Sequence, residues 1–365
     1  MKVLCLVQLP PPIHGAAVMN KYIIETVLPN SGFEFELLEL NFSKSFQEMH
    51  EESHNKVLKA AAIFFRLLYK LLFYRPDVVY FTFAPFGAAL IRDSVYVCLC
   101  RIFRVYILFH LHGTGLSKRK SFLYRAVYKF LFCRDRLILL SESLYSDVSN
   151  YIKKSNCFFL ANAVESSRTD NLFKKTTDSI EILYLANYHP AKGLLTVIDV
   201  FTRLAEKRQD IRLRLVGEYT YYWSERQMEE YISRLPKMIS DRIIVYGPAY
   251  GEEKIDILDK ADIFFYPSLH DAFPLVVLEA MSFGLPVIGS CQGALPDIIE
   301  DGKSGYLYDG DDDSFFEKAL NQLSENYELR KKMSMNALDR FEKYFSFPIF
   351  NNKFINILKT YDNSN

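Results

Sequence analysis

Two carboxylates, Asp271 and Glu279, stand eight residues apart, and the chain runs on through Ala280-Met281-Ser282-Phe283-Gly284-Leu285-Pro286-Val287-Ile288. Pro274 suits the first turn of a helix, where its missing N–H costs nothing. Gly284 suits the helix stop, and Pro286 cannot continue it. This pattern places Asp271 in a loop ahead of a short buried helix and Glu279 inside that helix. The free backbone groups around Phe273, Pro274, Leu275 and Val276 would then face a phosphate or sugar hydroxyls. A buried strand reads from 261 to 268 before the helix, and another from 285 to 290 after it. Polar groups gathered at the carboxyl end of a strand in a strand–helix–strand unit occupy the place where open α/β sheets bind ligands.

Further upstream, Asn187-Tyr188-His189-Pro190-Ala191-Lys192-Gly193 follows a strand at 180–186 and opens a long amphipathic helix. An ammonium at a helix entrance neutralises charge that grows on a departing diphosphate. Strands at 212–218 and 242–248 end near Glu218 and Gly247. Near the N-terminus, a strand at 2–8 leads into a Pro-rich, then small-residue loop that contains Gly15. Such a loop lets backbone approach a ligand closely, or is a plain connecting turn. His112-Gly113 follows a strand at 105–109 and sets an imidazole at the strand's exit. Taken alone, such a His is more often structural.

The stretch from Asp271 onward resembles the signature of the retaining glycosyltransferases of family 4. The family pattern is a Glu, seven residues and a second Glu, then a helix and Gly-Leu-Pro-Val-Ile, and Asp271 here replaces the first Glu. The similarity continues through Gly293-Ala294-Leu295-Pro296-Asp297-Ile298-Ile299, Gly302 and Gly305-Tyr306-Leu307. The family's Arg followed by Lys-Gly is matched at Lys192 and Gly193, with Asn187 in the Arg position. His189 or a basic residue of the first half is left to supply that cation. The resemblance implies an α/β GT-B fold, two doubly wound Rossmann-like domains facing across a cleft. It implies transfer of a sugar from a UDP- or GDP-linked donor with retention at the anomeric carbon, the departing phosphate helping to deprotonate the acceptor.

The roles that follow from the resemblance are specific. Glu279 holds the ribose hydroxyls, and Asp271 with the backbone at 273–276 holds the donor sugar. Lys192 and Gly15 hold the diphosphate, and His112 meets the sugar from the opposite domain. Asn187, Gly193, Glu218 and Gly247 complete the donor set. No metal or other cofactor is implied. One alternative is a nucleotide-sugar epimerase of the same architecture; another is a non-catalytic nucleotide-sugar-binding protein, which the Asp271 and Asn187 departures leave open.

The chain has 365 residues, 50% hydrophobic and 24% charged, the composition of a globular protein long enough for two domains. The expected division is 1–165, a polar linker at 165–178, a nucleotide-sugar domain at 178–344, and a helix at 345–365 crossing back to the first domain. A zero formal net charge hides an asymmetry: residues 56–136 hold fifteen Lys and Arg against three acids. Such a block suits an acidic surface or ligand, and no nucleic-acid motif accompanies it. Lys56, Lys59, Arg66 and Lys70 share one arc of a helical segment at 56–73, and Lys118, Arg125 and Lys129 form a second stripe. The first is either a core helix with a solvated basic stripe or a helix on an anionic membrane. A membrane position would suit a glycan acceptor carried on a polyprenyl lipid.

Smaller features complete the expectations. Six Cys without metal spacing read as buried thiols of a reduced, cytoplasmic protein. The start of the chain enters a strand without a signal-peptide pattern, and no apolar run spans a bilayer, so a cytoplasmic place, peripheral on the inner membrane face, is expected. Residues 33–41 read as an edge strand, 43–56 as a loop, and Ser141-Glu142-Ser143 as a helix N-cap. Asp311-Asp312-Asp313 read as a cap and solvated turn rather than a metal site.

Overall fold

Runs of Val, Leu, Ile and Phe that are apolar on both faces build parallel strands, because helices cover both sides of such a sheet. In the computed structural model twelve of these runs form two parallel sheets of six strands each, and the structure describes residues 1–42, 54–166, 179–310 and 312–362. The chain divides into a first unit, 1–162 with 348–365, and a second unit, 163–347.

The first unit contains β1 (Lys2–Val7), α1 (Gly15–Tyr22) running into a π-helical turn, and β2 (Glu34–Glu39). There follow α2 (His54–Phe73), β3 (Val78–Thr82), α3 (Gly87–Ile102), β4 (Tyr106–Leu111) and α4 (Phe122–Phe132). The run closes with β5 (Arg136–Leu139), α5 (Tyr145–Val148) and β6 (Cys157–Phe159). The sheet order is β2-β1-β3-β4-β5-β6, which places the half-exposed β2 at the edge. The chain leaves β1 toward β2 and then crosses back to β3, so the order reverses between β1 and β3. Right-handed crossovers put α2, α3 and α4 on the same face of the sheet. Their buried residues Ile63, Leu67, Val97 and Leu131 share one core with Leu6, Phe81, Phe109 and Leu139 of the strands.

The second unit contains β7 (Ile180–Leu185), α6 (Leu194–Lys207), β8 (Ile211–Val216), α7 (Glu225–Ser233), α8 (Lys237–Ser240) and β9 (Ile243–Tyr246). It continues with α9 (Gly251–Lys260), β10 (Ile263–Tyr266), α10 (Leu275–Ser282), β11 (Val287–Ser290), α11 (Leu295–Ile298) and β12 (Gly305–Tyr308). Helices α12 (Ser314–Glu325) and α13 (Tyr327–Tyr344) follow, and α14 (Phe347–Asp362) returns to the first unit. There Phe350 packs edge-on against Tyr22, and Phe354 against Tyr80. The second sheet has the order β12-β11-β10-β7-β8-β9, with its reversal between β7 and β10.

Several local expectations are corrected. Ser141 and Ser143 bond each other at 2.9 Å, and the N-cap of the next helix, the four-residue α5, is Leu144, which makes no side-chain cap bond. Cys98 and Cys133 are exposed, because they fall on the outward faces of helix α3 and of the end of α4. Pro274 is the N-cap of α10 rather than its first-turn residue. The Asp-rich turn does act at the start of α12 as expected, with Asp312 accepting from Ser314 N at 2.9 Å. Of the expected loop 43–56, residues 43–53 lie outside the described residues, and 54–56 open α2. Residues 167–178 of the expected linker, and Asp311, also lie outside them.

Candidate functional site

The loops that leave β7 and β10 run side by side, because these strands are neighbours whose connections depart in opposite directions. Leu269 N donates to Ala191 O at 2.9 Å, which joins the two loops. Gly193 sits where they touch: its φ is +76°, and a Cβ there would lie 2.3 Å from the Pro267 carbonyl oxygen. Gly293, in the loop after β11, has φ +57°, and its Cβ would lie 1.9 Å from the Asp271 carbonyl oxygen. Both positions combine a backbone conformation that side chains disfavour with an approach that no side chain fits.

This packing brings Lys192 and Asp271 together across 79 residues of sequence, with Nζ to Oδ2 at 2.6 Å. The ammonium also donates to His270 O at 3.3 Å. Oδ2 takes two further donors, Ser268 Oγ at 3.0 Å and the Tyr266 phenol. Burial and the adjacent Asp271 carboxylate hold the Tyr266 hydroxyl well above its ordinary pKa, so it stays protonated and donates. The Lys192 and Asp271 side chains remain 26% and 21% exposed, within reach of a ligand. Glu279, on α10, is held by Lys254 of α9, whose Nζ lies 2.6 Å from each carboxylate oxygen.

The other expected donor residues of this unit lie at the carboxyl ends of β7, β8 and β9 and at the start of α10. Phe273 and Pro274 are buried, and Leu275 and Val276 are half-buried at the start of α10. Asn187 and Glu218 have exposed side chains and fixed backbones: Asn187 O accepts from His189 N at 2.7 Å, and Glu218 O from Tyr188 N at 2.9 Å. Gly247 O accepts from Gly217 N at 3.3 Å at the ends of the neighbouring strands. His189 Nδ1 accepts from Ala191 N at 3.0 Å, so this ring shapes the loop ahead of Lys192.

Gly15 and His112 belong to the first unit. Gly15 opens α1, capped by His14, whose Nδ1 accepts from Ala17 N at 3.3 Å. Asn20 Nδ2 reaches Gln8 O at 2.9 Å and Thr82 Oγ1 at 3.1 Å, which binds the loop after β1 to the end of β3. The loop after His112 is fixed by Asp147, which accepts from Gly115 N at 2.7 Å, Leu116 N at 3.0 Å and Ser117 N at 2.9 Å. The His112 ring lies 4.0 Å from that of His110, whose Nδ1 pairs with Tyr80 OH at 2.7 Å. Burial, with His14 adding to it, pushes His112 down to about 3, and burial holds His110 lower than ordinary as well. These imidazoles are therefore neutral. Both His112 nitrogens, His110 Nε2 and Asn162 Oδ1 are buried without a hydrogen-bond partner among the described residues.

Sequence reading did not single out Tyr266, Ser268, Lys254, His110 or Asp147. Tyr266 and Ser268 lie just before Asp271, and their hydroxyls were the available signal. Lys254 and Asp147 are separated from the groups they hold by 25 and 30 to 32 residues, with nothing local to mark them.

Comparison with known proteins agrees with the arrangement. The family model "Glycosyl transferases group 1" matches residues 166–340. The chain is 26% identical over 254 residues to N-acetyl-alpha-D-glucosaminyl L-malate synthase of Bacillus anthracis, covering 66% of this chain and 64% of that protein. It is 27% identical over 249 residues to the putative colanic acid biosynthesis glycosyltransferase WcaL of Escherichia coli K12, covering 64% and 58%. The matches thus span less than two thirds of these relatives' own lengths. Among solved structures, HepE of Anabaena in complex with UDP aligns over 99% of this chain and 100% of its own, with a TM-score of 0.76 at 16% identity. The chain has the two-domain GT-B fold, and its residues 166–340 match the family model of the group 1 glycosyl transferases.

Proposed function

We propose that this protein is a retaining glycosyltransferase of the family 4 type. It would move a sugar from a UDP- or GDP-linked donor to a glycan or lipid-linked acceptor in polysaccharide biosynthesis. The observation that carries this reading is the Lys192–Asp271 pair at the strand-order reversal of the second sheet, with Glu279 inside the helix that starts beside it. An ammonium there neutralises the leaving diphosphate, and the start of α10 adds backbone donors. With its known donors on Oδ2, Asp271 has Oδ1 to offer a sugar hydroxyl. Such a carboxylate is a weak nucleophile, in keeping with displacement on one face and no covalent intermediate. Glu279, oriented by Lys254, would take the ribose hydroxyls. His112, neutral, would contact the uncharged part of the donor sugar, and Gly15 would let backbone meet the diphosphate. Lys192 and helix termini supply the charge that a metal provides elsewhere.

The solved complexes of HepE with UDP and with UDP-glucose support a uridine donor, and the name of WcaL supports a polysaccharide product. Calorimetric titration of UDP, GDP and other nucleotide diphosphates tests the first step, since ligands of the native state also raise its apparent stability. Binding of one of them, weakened about 30-fold in Lys192→Ala by the loss of a charged hydrogen bond, is expected. Failure to bind any would overturn the reading. Donor conversion without an acceptor would replace it by an epimerase, and product of inverted configuration would remove retention.

A further inference from the structure

We propose that the outer face of α2, α3 and α4 docks on an anionic lipid bilayer. A helix on the surface of a water-soluble domain ordinarily turns a polar face outward. These three do not. On α2 the residues opposite the buried Ile63 and Leu67 include Leu58, Phe65, Tyr69 and Phe73, all exposed, with Phe65 at 66%. On α3 the outward positions Ala88, Ile91, Val95, Cys98 and Ile102 recur at helical spacing, all exposed and none charged. On α4 Phe122 is 87% exposed, with Leu123 and Phe130 beside it. The stripes adjoin, because Tyr96 of α3 donates to Ala60 O of α2 at 3.0 Å, and Arg101 of α3 donates to Phe130 O of α4 at 2.6 Å. An apolar surface continued across three helices calls for a partner.

The charges around it select that partner. Lys59, Arg66, Arg125 and Lys129 are exposed among the stripes, and Lys118 and Lys120 stand just ahead of α4. The one acid in the three helices, Asp93, is fully buried and bonded to Arg92 and Ala84 N. The exposed part of these helices thus offers cations and apolar groups without an anion. A second copy of the chain would bring two such cationic faces together, which like-charge repulsion opposes. A bilayer surface takes both features at once: aromatic and aliphatic side chains enter the headgroup boundary, and Lys and Arg meet anionic headgroups. The basic arc expected from sequence is not the whole of the face, since Lys70 turns to Glu36 on β2.

This docking stands apart from the glycosyl-transfer reading, because it is measured without donor or acceptor. The full chain is mixed with phosphatidylglycerol-containing vesicles or with phosphatidylcholine vesicles and sedimented. Binding is expected to the first and far less to the second, and to weaken as salt is raised. Changing Lys59, Arg66, Arg125 and Lys129 together to Gln should lower the partition coefficient by about a hundredfold or more, since each surface charge counts for roughly fivefold. A second set, Phe65→Ser, Ile91→Ser and Phe122→Ser, should lower it about tenfold or more by removing inserted apolar area. All seven sites are exposed, and an unchanged melting temperature shows that folding is retained. Phe122→Trp gives a reporter whose emission should shift to the blue on anionic vesicles, against the constant background of Trp223 in the second unit. The proposal fails if the protein stays in the supernatant with anionic vesicles at low salt, or if binding survives both sets. It also fails if sedimentation equilibrium finds a dimer that the Ser set dissociates, which would assign the face to a second copy.

Discussion

The carboxyl edges of the two sheets are built alike and charged differently. In the second unit the site is made of opposite charges in contact, Lys192 with Asp271 and Lys254 with Glu279. In the first unit it is made of imidazoles that burial keeps neutral, with polar atoms left unpartnered among the described residues. A buried charge without its partner is expensive, so the first edge remains uncharged, whereas paired charges tolerate partial burial.

The largest expected effect probes backbone crowding. Gly293→Ala should destabilise the protein by about 3 kcal/mol or more, because its Cβ meets the Asp271 carbonyl oxygen and its φ is positive. Gly113→Ala in the first unit, whose Cβ meets nothing nearer than Pro85 Cγ at 3.8 Å, should cost within about 0.5 kcal/mol. Thermal melts of the two variants decide; equal costs would break this contrast.

Next come the charged groups. Lys192→Ala and Glu279→Ala should each lower kcat/KM for the donor by about 30-fold, near 2 kcal/mol for a lost charged hydrogen bond. A folded Lys192→Ala protein with unchanged kinetics would end its diphosphate role.

Acid stability separates the edges in another way. His112 is held at about 3 in the fold against 6.5 when unfolded, so below pH 6.5 the unfolded chain binds the proton that the fold refuses. The stabilisation is complete above pH 6.5 and is lost progressively as pH falls toward 3. At pH 5 the loss from this one group is about 2 kcal/mol, and His112→Asn should remove that share of the pH dependence. Chemical denaturation at pH 7 and pH 5 measures it; an unaltered slope in the variant would mean that His112 is not held neutral. The smallest effect is expected from chelation. EDTA should leave donor turnover within about twofold, since Lys192 and helix termini carry the charge in this reading. A strict Mn²⁺ or Mg²⁺ requirement would undo that part of it.

Local signals survived into the structure wherever the cause was local. The strand at 180–186 appears as β7 (Ile180–Leu185), and Gly284, at φ +69°, ends α10 because a left-handed residue suits that position. The helix expected from Ser141 begins later, with Leu144 at its N-cap, and its Asp147 is joined to the distant loop after His112, a contact that no local signal marks. On α2 the sequence arc separated basic from apolar residues, yet Lys70 was drawn to Glu36 while Phe65 and Tyr69 stayed outside.

By itself the sequence determined the alternation of strands and helices, the short buried helix between Asp271 and Gly284, and the residue types that could meet a nucleotide sugar. Those follow from periodicity, turn chemistry and short-range spacing, which act within a few residues. Tertiary structure alone decided that Lys192 reaches Asp271, that Lys254 holds Glu279, that Tyr80 pairs with His110, and that three helices expose apolar stripes together. Each of these depends on strand order, which brings distant loops to one edge and neighbouring helices to one face. No local propensity encodes that order, because it is set by which crossovers bury the most apolar surface.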